Sequence, residues 1–305
     1  MQLYNIVIRA IPGFILLIII EAVQMVKEHL FEKDKKNLWA SVQIGIVASS
    51  INVCLQGFIF LTYSIVYEYR IFTIHPVWIA FAICFFADDF TYYVFHRASH
   101  KIRFFWASHI VHHSSELFSP SAALRIPWTS NLTGTFLFWA WIPFIGIEPG
   151  VLVTMKAISV LYQFWLHTES IRKMPRWFEV IFNTPSHHRL HHSSEVQYLD
   201  KNHGGTLILW DKMLGTFMPE TGKTKYGLTK NITSHNPAAI ALHEWKSIFK
   251  DVKKAGSFSE ALNYVFNSPG WSNDGSSKTA REKQAEAVVH PKEMFSSPSA
   301  SPQFL

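Results

Sequence analysis

Cysteine is nearly absent from this 305-residue chain, which holds only Cys54 and Cys84. Two thiols cannot build a disulfide framework or a cysteine-rich zinc module. Charge is scarce as well: Asp, Glu, Lys and Arg make up 16% of the residues, against about 25% in ordinary soluble proteins. The 28 basic residues outnumber the 22 acidic ones, but they are scattered. Without a basic stripe there is no electrostatic footprint for nucleic acid. No internal repeat of fixed period is present, and the recurrence of His-His-Ser-Ser-Glu at 112–116 and 191–195 is a local echo. No small-residue cleavage site follows the first apolar run, so that run reads as an anchor and not a signal peptide.

What the chain has instead is apolar length. Aromatic residues reach 15%. Five segments approach the roughly 20 apolar residues that span a bilayer: 4–26, 39–66, 77–95, 129–148 and 150–166. The first contains Arg9 and ends at Glu21, as a tilted or interfacial helix would. The segment from Trp39 to Val66 has no charged residue at all. Asp88 and Asp89 fall inside the third, where a carboxylate is costly unless it faces protein or metal. Glu148, Pro149 and Gly150 separate the last two, which read as a helical hairpin, crossing or re-entrant.

Lysine placement sets the expected orientation. Lys27, Lys33, Lys35 and Lys36 crowd the 27–38 connection, and Arg97, Lys101, Arg103 and Arg125 the 96–128 connection. The loop near Glu68–Pro76 offers only Arg70. With five spans, both basic connections and everything after 167 share one side, the cytoplasmic one. Residues 236–266 read as one or two amphipathic surface helices. From Asn267 the composition turns to Ser, Pro, Lys and Glu, as in a flexible tail. The expected organisation is membrane anchor helices over 1–76, a catalytic unit over 77–220, cap or surface helices over 221–266 and a tail over 267–305.

Histidine carries the chemistry. Of the 16 histidines, 11 lie between 96 and 203. His96 and His100 are four apart and share a helix face. His109, His112 and His113 form HxxHH, and His188, His191 and His192 repeat that spacing. His167 stands at the end of the last apolar segment. These nine imidazoles exceed the needs of one ion and suffice for two. Imidazole suits iron, zinc, copper and nickel alike, and redox chemistry at an apolar surface favours iron. Two redox-active ions would activate dioxygen against an unactivated C–H bond, which no side chain does alone. A metal transporter or sensor would instead line its spans with polar ligands, and apart from Asp88 and Asp89 such residues were not found there.

The remaining polar candidates are secondary. Second-shell carboxylates normally hold ligating imidazoles in one tautomer. Asp89, two helical turns before His96, and Glu116, three residues after His113, are the candidate catalytic carboxylates in this sense. Asp88 points elsewhere, toward a core or interhelical partner, and Asp211 is placed to pin backbone. His187 reads as a substrate or outer contact, and His203, behind the turn-like Asp200-Lys201-Asn202, is left outside the ligand set. His29, His75, His235, His243 and His290 have no partner at ligand spacing.

These boxes resemble the fatty acid hydroxylase and sterol desaturase superfamily, and within it the alkylglycerol monooxygenase branch. The likeness extends through Tyr92-Tyr93-Val-Phe-His96-Arg97, Trp106, Ala123-Leu124-Arg125 and Leu161-Tyr-Gln-Phe-Trp-Leu-His167-Thr-Glu169. It continues through Asn183-Thr-Pro-Ser-His-His188, Asp200-Lys-Asn202, Trp210-Asp-Lys212, Gly215-Thr-Phe217, Tyr226-Gly-Leu228 and Pro269-Gly-Trp271, covering about 77–271. The resemblance implies an all-α integral membrane protein, a transmembrane helical bundle under a cytosolic helical cap that holds a His-rich di-metal site. It implies two iron ions (zinc in isolated protein) on His96, His100, His109, His112, His113, His167, His188, His191 and His192. The implied partners are a membrane lipid, O2 and an external reductant, tetrahydrobiopterin or a cytochrome or ferredoxin chain. Leu117, Ser119-Pro120, Ile126 and His203 depart from that branch's pattern, His203 standing where tyrosine is usual. The departures bear on substrate and pterin use and leave the metal residues intact.

Overall fold

The computed structural model describes residues 4–27 and 31–289. His29 and His290, and the part of the expected tail over 290–305, lie outside the described residues. Among the described residues the chain is helical, with two isolated β-bridges and no strand.

Three long helices come first: α1 (Tyr4–Lys27), α2 (Phe31–Glu68) and α3 (Val77–Lys101). Within them, Asp34–Glu68 and Val77–Lys101 are long and apolar enough to cross a membrane. Protein covers only part of their apolar surface. Phe58 and Leu61 on α2 are 60% and 57% exposed, and Trp78 on α3 is 67% exposed. A soluble core helix would bury such side chains, whereas a helix that is apolar and uncovered calls for a non-aqueous surround. Glu21, whose charge interrupts the apolar run of α1, is buried. Its carboxylate accepts the Ser121 backbone N–H and hydroxyl, both at 2.8 Å, and so ties α1 to the loop after the first HxxHH.

Helix α4 (Arg103–His113) follows α3 after the single extended residue Ile102. The expected span over 129–148 is not one helix. It consists of two 3-10 turns, Asn131–Thr133 and Thr135–Trp139, and the four-residue α5 (Trp141–Phe144). Gly134, in the left-handed region at φ 78°, separates the turns. Helix α6 (Pro149–Phe164) has 16 residues and rises only about 24 Å, short of a bilayer core of roughly 30 Å. The 129–164 segment packs against α2 and α3. Tyr63, Cys84, Trp139, Ile142, Leu152 and Met155 form its core. Inside that core the Trp139 indole donates to Asp88 at 2.6 Å, and the Lys156 ammonium lies 3.0 Å from the centre of the same ring. Lys156 is a charge inside an apolar segment that the hydropathy reading passed over.

The rest is short helices: α7 (Arg176–Ile181), α8 (Pro185–His191), α9 (Leu209–Met213), α10 (Pro237–Ala241), α11 (His243–Lys254), α12 (Phe258–Phe266) and α13 (Ala280–Val289). The 236–266 stretch thus holds three helices where one or two were expected. Residues 267–289, placed in the tail by composition, form turns and α13. Gln284 on α13 donates to the Val196 and Leu199 carbonyls at 3.1 and 2.9 Å, which fixes that helix to the 196–199 turn. Ala40 and Ile44 of α2 pack with Ile110, Val111 and Ile240, joining the cap to the long helices.

Gly146 makes the hairpin fit. It sits at φ 113°, and a Cβ there would lie 2.2 Å from the Phe72 carbonyl oxygen. The neighbouring Phe144 carbonyl accepts from Ile71 at 2.9 Å, so the two backbones cannot separate freely. Gly146→Ala combines a left-handed penalty with overpacking and is expected to cost roughly 2–4 kcal/mol. Thermal unfolding in detergent checks this, and an unchanged midpoint would contradict it.

Candidate metal centre

Three sequence-local rules bring the histidines to one place. The last turns of α3 carry His96 and His100 on one face, α4 ends in His109, His112 and His113, and α8 with its C-cap supplies His188, His191 and His192. His167 arrives from the end of α6. The structure brings all nine together, in two sets. His96, His100, His109, His113 and His191 form the first; His112, His167, His188 and His192 form the second. Within each set the candidate ligating atoms lie within 4.8 Å of one another. Each HxxHH is split: α4 and α8 both feed both sets.

The spacing suits an ion. In the first set, Nε2 of His109 lies 3.0 Å from that of His96 and 3.1 Å from that of His113, which is 3.2 Å from that of His191. In the second, Nε2 of His167 is 3.0 Å from that of His188 and 3.3 Å from that of His112. His192 Nε2 lies 3.1 Å from both His112 and His188. Metal–nitrogen bonds of about 2.0–2.1 Å give coordination polyhedra with edges of about 2.9–3.4 Å.

The tautomers agree with this geometry. His96 Nδ1 donates to the His203 carbonyl and His191 Nδ1 to the Lys201 carbonyl, both at 2.8 Å, and His167 Nδ1 to that of Gln163 at 3.1 Å. A neutral imidazole with Nδ1–H committed presents a bare Nε2 lone pair. Burial, reinforced by neighbouring imidazoles, holds His109, His112, His113, His188 and His192 well below the usual histidine range. His191 is lowered by burial to about 4. The neutral form, which ligates metals, is the form the site keeps at neutral pH. Phe118 closes the second set, stacked 5.5 Å from His167 and 5.2 Å from Tyr226.

The carboxylates take other roles than expected. Asp89 does not hold His96. It accepts the Thr206 and Leu207 backbone N–H groups at 2.6 and 3.1 Å and the Trp210 indole at 2.9 Å, so it anchors the 204–210 segment to α3. Glu116 is exposed beside Gly227, and no hydrogen bond joins it to His113 among the described residues. The carboxylate that faces a ligand is Asp200, whose Oδ1 lies 3.5 Å from His100 Nδ1 while Oδ2 accepts from Lys101 at 2.7 Å. Its signal was the left-handed turn it opens, with φ 59° at Asp200 and 56° at Asn202. Asp211 pins backbone, accepting from His203 and Gly204 at 2.8 and 2.7 Å. Asn183 donates to the Gly204 carbonyl at 2.6 Å, and Asn202 donates to those of His187 and Met218 at 3.1 and 2.8 Å. His187 faces Phe217 and Thr184, away from both sets.

Residues 81–216 match the fatty acid hydroxylase family. That stretch carries the fatty acid hydroxylase domain. It is 33% identical over 298 residues to alkylglycerol monooxygenase of Homo sapiens, covering 96% of this chain and 65% of that protein. Alkylglycerol monooxygenase of Xenopus tropicalis is 39% identical over 189 residues, 62% of this chain and 42% of its own length. An ornithine lipid hydroxylase of Rhizobium tropici is 28% identical over 156 residues, 50% of this chain and 46% of its own. The chain thus spans less than two thirds of the length of these relatives. No solved structure matches it. All nine histidines of the two sets lie inside the family match. The two named activities, monooxygenation and hydroxylation, are oxidoreductions.

Protonation of these imidazoles has a predictable effect. His191 titrates near 6.5 when unfolded and near 4 when native, so between those values the unfolded chain binds more protons. Stability is therefore full above about pH 6.5 and is lost as pH falls toward 4. Melting of chelator-treated protein across this window should show a steady fall in midpoint; a flat profile would mean the imidazoles are not held neutral.

Proposed function

We propose that the chain is a membrane-bound, O2-dependent di-iron oxygenase that hydroxylates a lipid C–H bond, at the carbon beside the ether oxygen of an alkylglycerol lipid. The observation that carries the reading is the pair of histidine sets, five donors and four, enclosed side by side at the end of an apolar helix. Similarity to the two alkylglycerol monooxygenases supports the ether substrate. Two iron ions held by these sets would supply the dioxygen chemistry, and an all-imidazole donor set also accepts zinc in isolated protein.

The chain's own residues do the rest. The uncovered apolar faces of α2 and α3 border lipid, so a substrate enters sideways with its reactive carbon at headgroup depth. A carbon next to an ether oxygen lies there, while the methyl end of a long chain does not. Net reaction consumes one O2, two electrons and two protons, placing one oxygen on the carbon and releasing one water. The resulting hemiacetal breaks its C–O bond to give a fatty aldehyde and a free glycerol hydroxyl. Electrons come from an external donor, tetrahydrobiopterin or a cytochrome or ferredoxin chain. Its access is the cavity of about 1010 Å³ whose wall includes His100, His113 and His191 of the first set with Lys230, Lys246 and Lys250.

In this reading the protein is multi-pass, with the sets on the cytoplasmic face. If α2 and α3 cross in opposite directions, the basic first turns of α2, with Lys33, Lys35 and Lys36, and the end of α3 share a side, and a re-entrant hairpin would return the chain to it. Introduced cysteines at Lys35 and Ser276 are expected to label from one side and at Arg70 from the other. Labelling of Lys35 and Ser276 from opposite sides would refute this arrangement.

Similarity to the ornithine lipid hydroxylase favours a second reading, hydroxylation or desaturation of an acyl or sterol substrate at the same site. Membranes supplied with a lyso-ether lipid, reductant and labelled dioxygen separate the two, with the aldehyde trapped at once by reduction. Label in the trapped aldehyde supports ether cleavage. Label in a stable alcohol, or an unlabelled alkene, supports the second reading, and aldehyde formed without oxygen would end the oxygenase reading. Purified protein should carry two ions, and His112→Ala and His191→Ala should each lose metal; full occupancy in both would refute the di-metal site.

A further inference from the structure

Between residues 96 and 203 two imidazoles lie outside both sets, His187, which bonds to Thr184, and His203. His203 is completely buried, at 0% exposure, yet neither Nδ1 nor Nε2 has a hydrogen-bond partner. Leaving two buried ring nitrogens unpaired is costly, and native interiors seldom tolerate it without an ion or water to satisfy them. Among the described residues His100 Nε2 is orphaned in the same way, and it is a candidate ligand atom of the first set. The ring of His203 lies 5.0 Å from His100, 5.5 Å from His96 and 5.6 Å from His191, all members of the first set. Rings within that set are separated by a similar 4.4 Å (His96 to His191) to 5.3 Å (His96 to His100).

The backbone around His203 is fixed from three sides. Its N–H is held by Asp211 and its carbonyl accepts from His96. Asn202 before it is locked at φ 56° by contacts to residues 187, 216 and 218. Gly204 after it allows the chain to approach Leu207, since a Cβ there would meet the Leu207 carbonyl at 2.5 Å. By contrast the imidazole is held by packing alone. Tyr93, 6.2 Å away, commits its hydroxyl to Thr216 at 2.9 Å. His203 stands outside the group whose atoms lie within 4.8 Å of one another, but no hydrogen bond opposes turning a ring nitrogen toward it.

We propose that His203 is a tenth donor, which turns onto the ion held by His96, His100, His109, His113 and His191 when that ion binds. This rests on the metal reading above. The first set would then offer six imidazoles and the second four. The second, beside Phe118, would be the set with fewer protein donors and so the one suited to supply chemistry to dioxygen and substrate.

Cobalt(II) binding to the full-length protein tests this without recourse to activity. Wild-type protein should bind two ions, one with the absorption of a six-coordinate site and one with the stronger bands of a four- or five-coordinate site. His203→Phe keeps a ring and the main-chain contacts but removes both nitrogens. It should weaken one ion at least about 10-fold and change the six-coordinate spectrum alone, with the metal-free melting midpoint retained. Should His203→Phe fail to fold, His203→Gln is measured in the same way. Wild-type affinity and spectrum in the folded variant would overturn the role of His203, whereas a wild-type chain that binds no cobalt would overturn the di-metal reading instead.

Discussion

Nine imidazole lone pairs directed at two small volumes, with water excluded, are the constraint around which this protein is arranged. Protonating the rings would gather positive charges in a poor dielectric, and leaving them bare crowds lone pairs together at about 3 Å. A cation at each set relieves both problems at once. Desolvation keeps the rings neutral, and neutral rings are the ones able to bind. The remaining features follow from the need to hold this geometry in the absence of covalent cross-links: carbonyl acceptors on Nδ1 of His96, His167 and His191, and Asp200 behind His100.

A second layer secures the first by binding backbone and not imidazole. Asp89 and Asp211 each neutralise two adjacent N–H groups in the 203–207 segment, and Asn183 takes up carbonyls from the same stretch. The loop has no regular hydrogen-bond ladder, so these side chains stand in for one. Its carbonyl at His203 then fixes the tautomer of His96 on α3. A carboxylate inside the apolar helix α3 thus contributes to the histidine site at one remove, through a loop 117 residues later in the chain.

The histidine sets were legible in the sequence because the signal is local: spacings of three and four residues on a helix place side chains together whatever the remainder does. The grouping into five and four was not, since it depends on how α3, α4, α6 and α8 meet. Asp89 was misread for the same reason. Its position two turns before His96 was sound on the helix, but a loop distant in sequence claimed its oxygens first. Asp200 was visible only as part of a turn. The 129–148 segment failed differently. Hydropathy counted its apolar side chains but not the backbone breaks at Gly134 and Gly146, and in the next segment the apolar average hid Lys156, whose ammonium rests on the Trp139 ring. Composition placed 267–289 in a tail, although Gln284 supplies two hydrogen bonds to the 196–199 turn.

The sharing of α4 and α8 between the sets has a mechanical consequence. His109 and His113 face one way and His112 the other, and His191 is likewise flanked by His188 and His192. The separation between the two sets is therefore set by the turn of about 100° and the rise of about 1.5 Å per residue along two short helices, which act as a pair of rulers laid across the gap. Neither centre can drift from the other unless a helix unwinds. Any breathing of the site during turnover falls to the parts not graduated in this way, His167 and the end of α3, each of which answers to one centre only.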